Sequence, residues 1–285
     1  MAISVVLPAK NEAAAIGQTI EKIKQLQAID EIEIIVVNDG STDSTKVVAE
    51  QAGARVVSHP YSKGNGAAIK TGAREAIGDI IIFMDADGQH DPQDIPRLIE
   101  KIGQGYDLVV GARQKGSQAS IGRGIANKLY NNLATYMTEH PVEDLTSGFR
   151  IVRADKFREF LYLLPNGFSY PTTSTMAFFR AGYSVGYVPI HAAKRIGKSH
   201  IKPIKDGVRF FLIIFKIATL FSPLKMFLPI AMILFVMATG WYGYTLYEFG
   251  RFTNMSALLY TGSVMIFLMG LISEQITNLM YKDGN

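Results

Sequence analysis

Short apolar runs recur along the first 111 positions of the chain, each closed by polar residues: Ile3–Leu7, Ile32–Val37, Arg55–Ser58, Asp79–Met84 and Asp107–Gly111. Their content of β-branched and aromatic residues predicts buried strands. Between them, apolar positions at helical spacing predict helices over Glu12–Leu26, Thr42–Gln51, Gly66–Ile77 and Pro92–Ile102. This alternation predicts an α/β fold with a doubly wound, mostly parallel sheet and helices on both faces. Right-handed crossovers then bring the loops after the strands to one edge. That edge is where sheets of this kind bind ligands.

Past Lys225 the pattern changes. Met226–Tyr247 and Phe252–Ser273 are each 22 residues without a formal charge. About 20 residues suffice for a helix to cross a bilayer core. The short link Glu248–Arg251 predicts an antiparallel transmembrane hairpin, with Trp241, Tyr242, Tyr244 and Tyr247 crowding one end and Tyr281 near the other, as interfacial aromatics do. Between the two regions Ile204, Val208, Phe211 and Phe215 share one helical face, while Lys202, Lys205, Arg209 and Lys216 lie off it. That pattern predicts an amphipathic helix, lying in the membrane interface or packed as an ordinary surface helix. The expected organisation is a catalytic domain over 1–200, a juxtamembrane helix over 201–222 and a hairpin over 223–285, with spans near 226–247 and 252–273.

Charge sharpens this picture. The chain of 285 residues carries a net charge of +4, but residues 194–225 alone carry +7, leaving −3 for the rest. Basicity concentrated beside the spans points to membrane lipid rather than nucleic acid. With Lys282 after the second span, it predicts an integral membrane protein with the large domain and both termini on the cytoplasmic side. There are no cysteines, which excludes disulfides and thiolate metal sites. Met1–Pro8 lacks a basic start and a long apolar core, and reads as a strand rather than a signal peptide.

The densest chemistry follows the Ile80–Met84 run, at Asp85-Ala86-Asp87-Gly88-Gln89. Two carboxylates one residue apart repel each other unless a cation lies between them. At the end of a buried strand they point to a divalent metal holding a nucleotide diphosphate. Other strand ends carry Pro8-Ala9-Lys10-Asn11-Glu12 and Asn38-Asp39-Gly40-Ser41. Glu12 either complements a helix dipole or meets a nucleotide. Asp39 stands where a ribose or base meets the sheet edge. Lys63-Gly64-Asn65-Gly66 opens a helix and suits close approach to an anion, without being a Walker A motif. Arg113 and Arg123 bracket a Gly/Ser/Gln-rich loop and suit phosphate contact. Asp144 is a base, an acceptor-orienting group or a turn former. Arg195 and Lys198 flank a glycine and suit a lipid phosphate, a diphosphate or anionic lipid in general. His191 and His200 lack the spacing of a metal pair and read as structural or interfacial.

These motifs, in this order, resemble family 2 glycosyltransferases of the GT-A fold, and within them the polyprenyl-phosphate glycosyltransferases, including dolichol-phosphate mannose synthases. The resemblance covers residues 2 to about 200. It rests on Leu7–Glu12, Val37–Asp43, Lys63–Gly66, Asp85–His90, Asp144-Leu145-Thr146-Ser147-Gly148-Phe149-Arg150 and Arg195-Ile196-Gly197-Lys198-Ser199. It implies that Asp85, Asp87 and Gln89 bind Mg²⁺ or Mn²⁺, and that Pro8, Ala9, Glu12, Asp39, Lys63, Asp85, Ala86 and Arg113 hold a nucleotide sugar. It further implies that Asp87, Asp144 and Arg123 serve the transfer itself, and that Arg123, Arg195 and Lys198 meet the phosphate of a polyprenyl acceptor. Some relatives have a second acid where Gly148 stands, which leaves open whether a base is used and what Asp144 does.

The implied reaction is inverting transfer of a hexose from UDP-glucose or GDP-mannose to undecaprenyl or dolichyl phosphate. The alternative acceptor is a neutral lipid such as diacylglycerol. A processive polysaccharide synthase is disfavoured, since the only tryptophan, Trp241, lies inside a predicted span. Small residues at Ala238, Gly240 and Gly243 offer a surface for homo-oligomer contact.

Overall fold

The computed structural model describes residues 2–26, 32–114, 121–167, 169–192, 219 and 221–282. It comprises two compact units, residues 1–201 and 202–285.

The first unit is built on seven strands: β1 (Ile3–Ala9), β2 (Ile32–Asn38), β3 (Arg55–Ser58), β4 (Ile80–Phe83), β5 (Leu108–Arg113), β6 (Arg150–Arg153) and β7 (Val185–Ile190). Their order across the sheet is β3-β2-β1-β4-β6-β5-β7. Helices α1 (Ile16–Lys24), α2 (Thr45–Gln51), α3 (Asn65–Glu75), α4 (Ile95–Gly103), α5 (Ile121–Thr138), α6 (Ala154–Arg158) and α7 (Tyr170–Arg180) connect them. Every residue of β1 and β4 is buried, as continuous apolar runs in the middle of a two-faced sheet require.

All pairings are parallel except those of β6, which runs antiparallel between β4 and β5. The sequence pattern does not announce β6 or β7. β6 is only four residues long and follows a polar stretch. Its direction has a consequence for the site. Because it opposes β4, the chain entering β6 arrives at the same edge where β1, β2, β3, β4 and β5 end.

Helix starts differ from expectation in one informative place. Residues 12–15 form turns, and α1 begins at Ile16. Asn11 takes a left-handed conformation, φ 57°. The amides that follow are captured from the neighbouring loop: Glu12 N–H donates to Thr45 Oγ1 (2.9 Å) and Ala13 N–H to Asp43 Oδ2 (3.3 Å). Glu12 is therefore a loop residue rather than a residue of the helix.

In the second unit α8 (Pro223–Phe249) and α9 (Asn254–Lys282) are both long and apolar enough to cross a bilayer. Gly250, at φ 62°, closes α8 with its amide on Leu246 O. The two helices meet along a seam of small residues spaced by seven: Ala231, Ala238 and Thr245 on α8, and Ser256, Ser263, Gly270 and Thr277 on α9, all buried. A strict seven-residue repeat is the pattern of left-handed supercoiling. Small side chains let backbones approach closely where no water competes. Hydrogen bonds cross the seam from Ser263 Oγ to Ala231 O (2.8 Å), Tyr260 Oη to Thr239 Oγ1 (3.0 Å) and Leu224 N to Glu274 Oε2 (3.3 Å). Ala238 is thus spent within the hairpin, which corrects its assignment to contact between copies. A Cβ at Gly240 or Gly243 would meet nothing.

The seam makes a prediction. A Cβ on Gly270 would stand 2.8 Å from Phe227 Cβ. Gly270→Leu is expected to separate the helices at that level. The chain has no cysteine of its own. Cross-linking of an Ala231→Cys/Ser263→Cys pair therefore reads the spacing directly, and its yield should fall severalfold when Gly270→Leu is added.

Candidate active site

The strand register assembles the site. Ala9 lies beside Asn38, and Asn38 beside Ser58. The residues that follow these positions, together with those after β4, enclose a cavity of about 560 Å³ lined by Pro8, Ala9, Glu12, Asp39, Asp85, Ala86, Asp87 and Gln89. Lys10, Ser62, Gly64, Asn65 and Ala68 complete the walls. Residues widely separated along the chain, predicted from separate motifs, thus share one cavity.

Asp39 is buried, and its carboxylate is fully engaged. It accepts His59 Nδ1 (2.7 Å) and Lys63 N (2.8 Å) on Oδ1, and Ser62 Oγ (2.7 Å) and Gly64 N (2.9 Å) on Oδ2. Lys10 Nζ donates to the same Ser62 hydroxyl (3.0 Å), and Thr71 Oγ1 contacts His59 Nε2 (2.9 Å). The anion cradled by the glycine-containing loop is therefore the protein's own Asp39. At the start of α3 the carbonyl of Asn166 takes Ala67 N–H (2.9 Å). A Cβ at Gly64 or Gly66 would fall 2.5 Å from Asn166 O or 2.0 Å from Pro165 O. Close packing of the 165–167 segment demands these two glycines, and Gly64 also takes a positive φ of 102°. Lys63 carries its Nζ over the Tyr61 ring, 5.9 Å from the centroid.

Burial alone would raise the Asp39 pKa. The hydrogen bond from His59, then those from Lys63, Ser62 and Gly64, outweigh it and hold it at about 2, against an ordinary 3.8. A depressed carboxylate stabilises the fold above its unfolded pKa, and that contribution is lost as pH falls through the folded value. Here it is on the order of 2 kcal/mol. Asp39→Asn is expected to lower the thermal midpoint at about pH 5. The difference from the parent chain should shrink as pH falls from about 4 towards 2.

Asp144 and Arg113 form a second engaged pair. Arg113 donates from Nε to Oδ2 (2.7 Å), from Nη2 to Oδ1 (2.9 Å) and from its backbone N to Oδ2 (3.2 Å). The Thr146 and Ser147 amides add two more bonds to Oδ1, each 3.1 Å. Burial opposes ionisation of Asp144, but the Arg113 hydrogen bonds and charge outweigh it and keep the carboxyl below its ordinary range. The same bonds raise the Arg113 pKa against its own burial. A carboxylate this heavily bonded is a weak proton acceptor. The geometry makes Asp144 a fixed counter-charge for Arg113.

Beneath this loop lies Arg150, with no solvent exposure. Its guanidinium donates to Ser147 O, Pro171 O (2.8 Å), Ser174 Oγ (2.7 Å) and Thr175 Oγ1 (3.2 Å) and lies 5.5 Å over the Tyr170 ring. Tyr170 Oη in turn donates to Gly148 O (3.0 Å). The segment 144–148 is thus held from below by one arginine and one tyrosine.

Asp85 rests against Gly148, where a Cβ would meet its Oδ2 at 2.6 Å. Asp87 is 8% exposed and accepts Gln89 N (3.1 Å), which shapes the turn between them. Among the described residues no set of three His, Cys, Asp or Glu side chains is arranged to hold a metal. Two carboxylates opening on a polar cavity fit a hard divalent cation of the Mg²⁺ or Mn²⁺ kind, which completes its shell with substrate phosphates and water.

Residues 4–161 match the model of Glycosyl transferase family 2. The chain belongs to that family. Residues 222–279 match a second model, the GtrB C-terminal hairpin. Glycosyltransferase AglJ of Haloferax volcanii is 26% identical over 296 aligned positions, covering 98% of this chain and 94% of the relative. The undecaprenyl-phosphate 4-deoxy-4-formamido-L-arabinose transferase of Proteus mirabilis is 36% identical over 163, covering 53% of this chain and 48% of that one. This glycosyltransferase therefore spans nearly all of the first relative and about half the length of the second. Among solved structures, glucosyl-3-phosphoglycerate synthase from Mycobacterium tuberculosis, in complex with Mn²⁺, UDP and glucosyl-3-phosphoglycerate, matches with a TM-score of 0.60 at 27% identity, over 76% of this chain and 78% of that one.

Within this family 2 enzyme, Lys10 and Ser62 line the cavity and His59 bonds Asp39, although the sequence reading gives none of the three a role. His59 follows the end of β3 just as Asp39 follows that of β2. Position at a strand end was the usable signal. Arg123 falls within α5, but its side chain, with Arg195, Lys198, His200 and the amphipathic segment 201–218, lies outside the described residues.

Proposed function

We propose that the chain transfers a hexose from a nucleotide sugar to a polyprenyl phosphate at the cytoplasmic face of a membrane, inverting the anomeric centre. The observation that carries this reading is the joining, in one chain, of the Asp85/Asp87 cavity with a pair of helices matched to the GtrB hairpin. The Proteus relative's name includes undecaprenyl phosphate, which supports a lipid phosphate acceptor. The bound UDP and Mn²⁺ of the solved relative support a UDP-sugar, with UDP-glucose ahead of GDP-mannose. The basic run 194–225 supports the cytoplasmic orientation.

The roles follow from charge and position. Asp85 and Asp87, with Gln89 beside them, would hold a divalent cation. When bound, it supplies positive charge to the departing diphosphate. Pro8, Ala9, Glu12, Asp39, Lys63, Ala86 and Arg113 are the residues proposed to hold the nucleotide sugar, and Asp39 also ties down residues 62–64. An oxygen of the acceptor phosphate attacks the anomeric carbon as its bond to the diphosphate oxygen breaks, so one displacement inverts the centre. No proton needs removal, because a phosphate monoester is already an anion near neutral pH. This agrees with Asp144 being tied to Arg113 and with glycine at 148. Arg123, Arg195 and Lys198 are the cations proposed for the acceptor phosphate.

The test is a transfer assay in detergent with Mn²⁺ or Mg²⁺, a short polyprenyl phosphate and a panel of labelled UDP- and GDP-sugars. Label entering the lipid phase with one donor is the expected result. Transfer to diacylglycerol but not to the phosphorylated prenol would replace the acceptor. Absence of both would remove the reading.

A further inference from the structure

His90 carries an unexplained polar atom. Its side chain is 4% exposed, and Nδ1 is buried without a hydrogen-bond partner. Buried polar groups are almost always paired, because an unmet one forfeits its hydration. The ring is fixed by stacking on Phe149, 5.2 Å between centroids and 27° between planes, and Phe149 is fully buried. The imidazole therefore has little freedom to turn away and find water.

The atom that Nδ1 faces is Asp85 Oδ2, 4.0 Å away. That is roughly 1 Å beyond a hydrogen bond. Asp85 is the partner able to move. Its side chain is 35% exposed, and the Oδ2 that faces His90 lies against Gly148, where a Cβ would fall 2.6 Å from it, so the glycine leaves that oxygen its place. Carboxylates that hold a metal are themselves hydrogen-bonded from behind, which aims the ligating oxygen.

We propose that His90 is the positioning residue for Asp85: Nδ1–H takes one carboxylate oxygen when a divalent cation takes the other. The assignment rests on the metal-dependent transferase reading. It concerns orientation only, with the Nδ1–H tautomer as donor. His90 touches neither the sugar nor the reacting atoms.

The experiment titrates Mn²⁺ alone into the full chain in detergent, followed by electron paramagnetic resonance, for the parent, His90→Phe and His90→Asn. Phenylalanine keeps the stack on Phe149 and removes the donor. Asparagine restores an N–H near the Nδ1 position. His90→Phe is expected to bind Mn²⁺ about 10- to 100-fold more weakly, with His90→Asn recovering most of the loss. The thermal midpoint without Mn²⁺ should be equal to or above the parent's in His90→Phe, while its Mn²⁺-induced rise shrinks. Equal Mn²⁺ affinity in parent and His90→Phe would overturn the role of His90 and leave the metal reading intact. So would an asparagine variant no better than phenylalanine. A parent chain that binds no Mn²⁺ would overturn the metal reading itself.

Discussion

Asp87→Ala is expected to reduce transfer, as kcat/KM for the nucleotide sugar, by about 10²- to 10³-fold. Removing one electrostatic group aimed at a developing negative charge commonly costs about 3–4 kcal/mol, and each 1.4 kcal/mol is about tenfold in rate. Asp87 acts twice. Its charge would hold the cation that steadies the departing diphosphate, and its Oδ1 accepts the Gln89 amide that shapes the turn after β4. Asp87→Asn separates the two, since an amide oxygen still accepts from Gln89 but carries no charge. Loss of comparable size in both variants, with unchanged thermal midpoints, is the predicted pattern. An active Asp87→Asn enzyme would show that the turn matters and the charge does not.

Arg150→Met is expected to be the most destabilising single change in the first unit, by about 3 kcal/mol. Arg150 is fully buried, and its guanidinium bonds only neutral oxygens: Ser147 O, Pro171 O, Ser174 Oγ and Thr175 Oγ1. Burial presses its pKa below the ordinary value, while the nearby Tyr170, Asp144 and Asp85 push the other way. Methionine fills much of the volume but leaves carbonyls unmet, each worth about 1–3 kcal/mol when buried. Ser174 and Thr175 retain bonds within α7, so Ser147 O bears most of the loss. A fall in the thermal midpoint of roughly 6–12 °C follows for a unit of this size. Arg150→Lys should recover only part of it, because one ammonium cannot span Ser147 and α7 together. A methionine variant as stable as the parent would mean that the cost of burying the charge equals the worth of its hydrogen bonds.

Much of the site is legible along the chain because its signals are local. The run into Asp85-Ala86-Asp87 predicts a strand closed by two carboxylates, and β4 ends at Phe83 with both acids on the cavity wall. The two charge-free runs predict the hairpin helices for the same reason, since length and apolarity need no partner to be read.

Residues whose meaning depends on a distant partner are not legible in this way. Asp39 reads as a cavity residue and lines the cavity, but its bonds to His59, Ser62, Lys63 and Gly64 come from the fold. Asp144 carries no sequence signal of its partner, yet Arg113 bonds both of its oxygens. Ala238 looks available to another copy but is enclosed by α9.

By itself the sequence determined the alternation of strand and helix, the edge where the acidic loops gather, and the two apolar helices. Hydrophobic period and turn chemistry act over a few residues, and right-handed crossovers leave little choice of edge. Only the tertiary structure decided which polar group meets which. The insertion of antiparallel β6 between β4 and β5 brings residues 144–149 to the carboxylates. Partners twenty or more positions apart are then chosen by strand order and by the need to satisfy every buried charge.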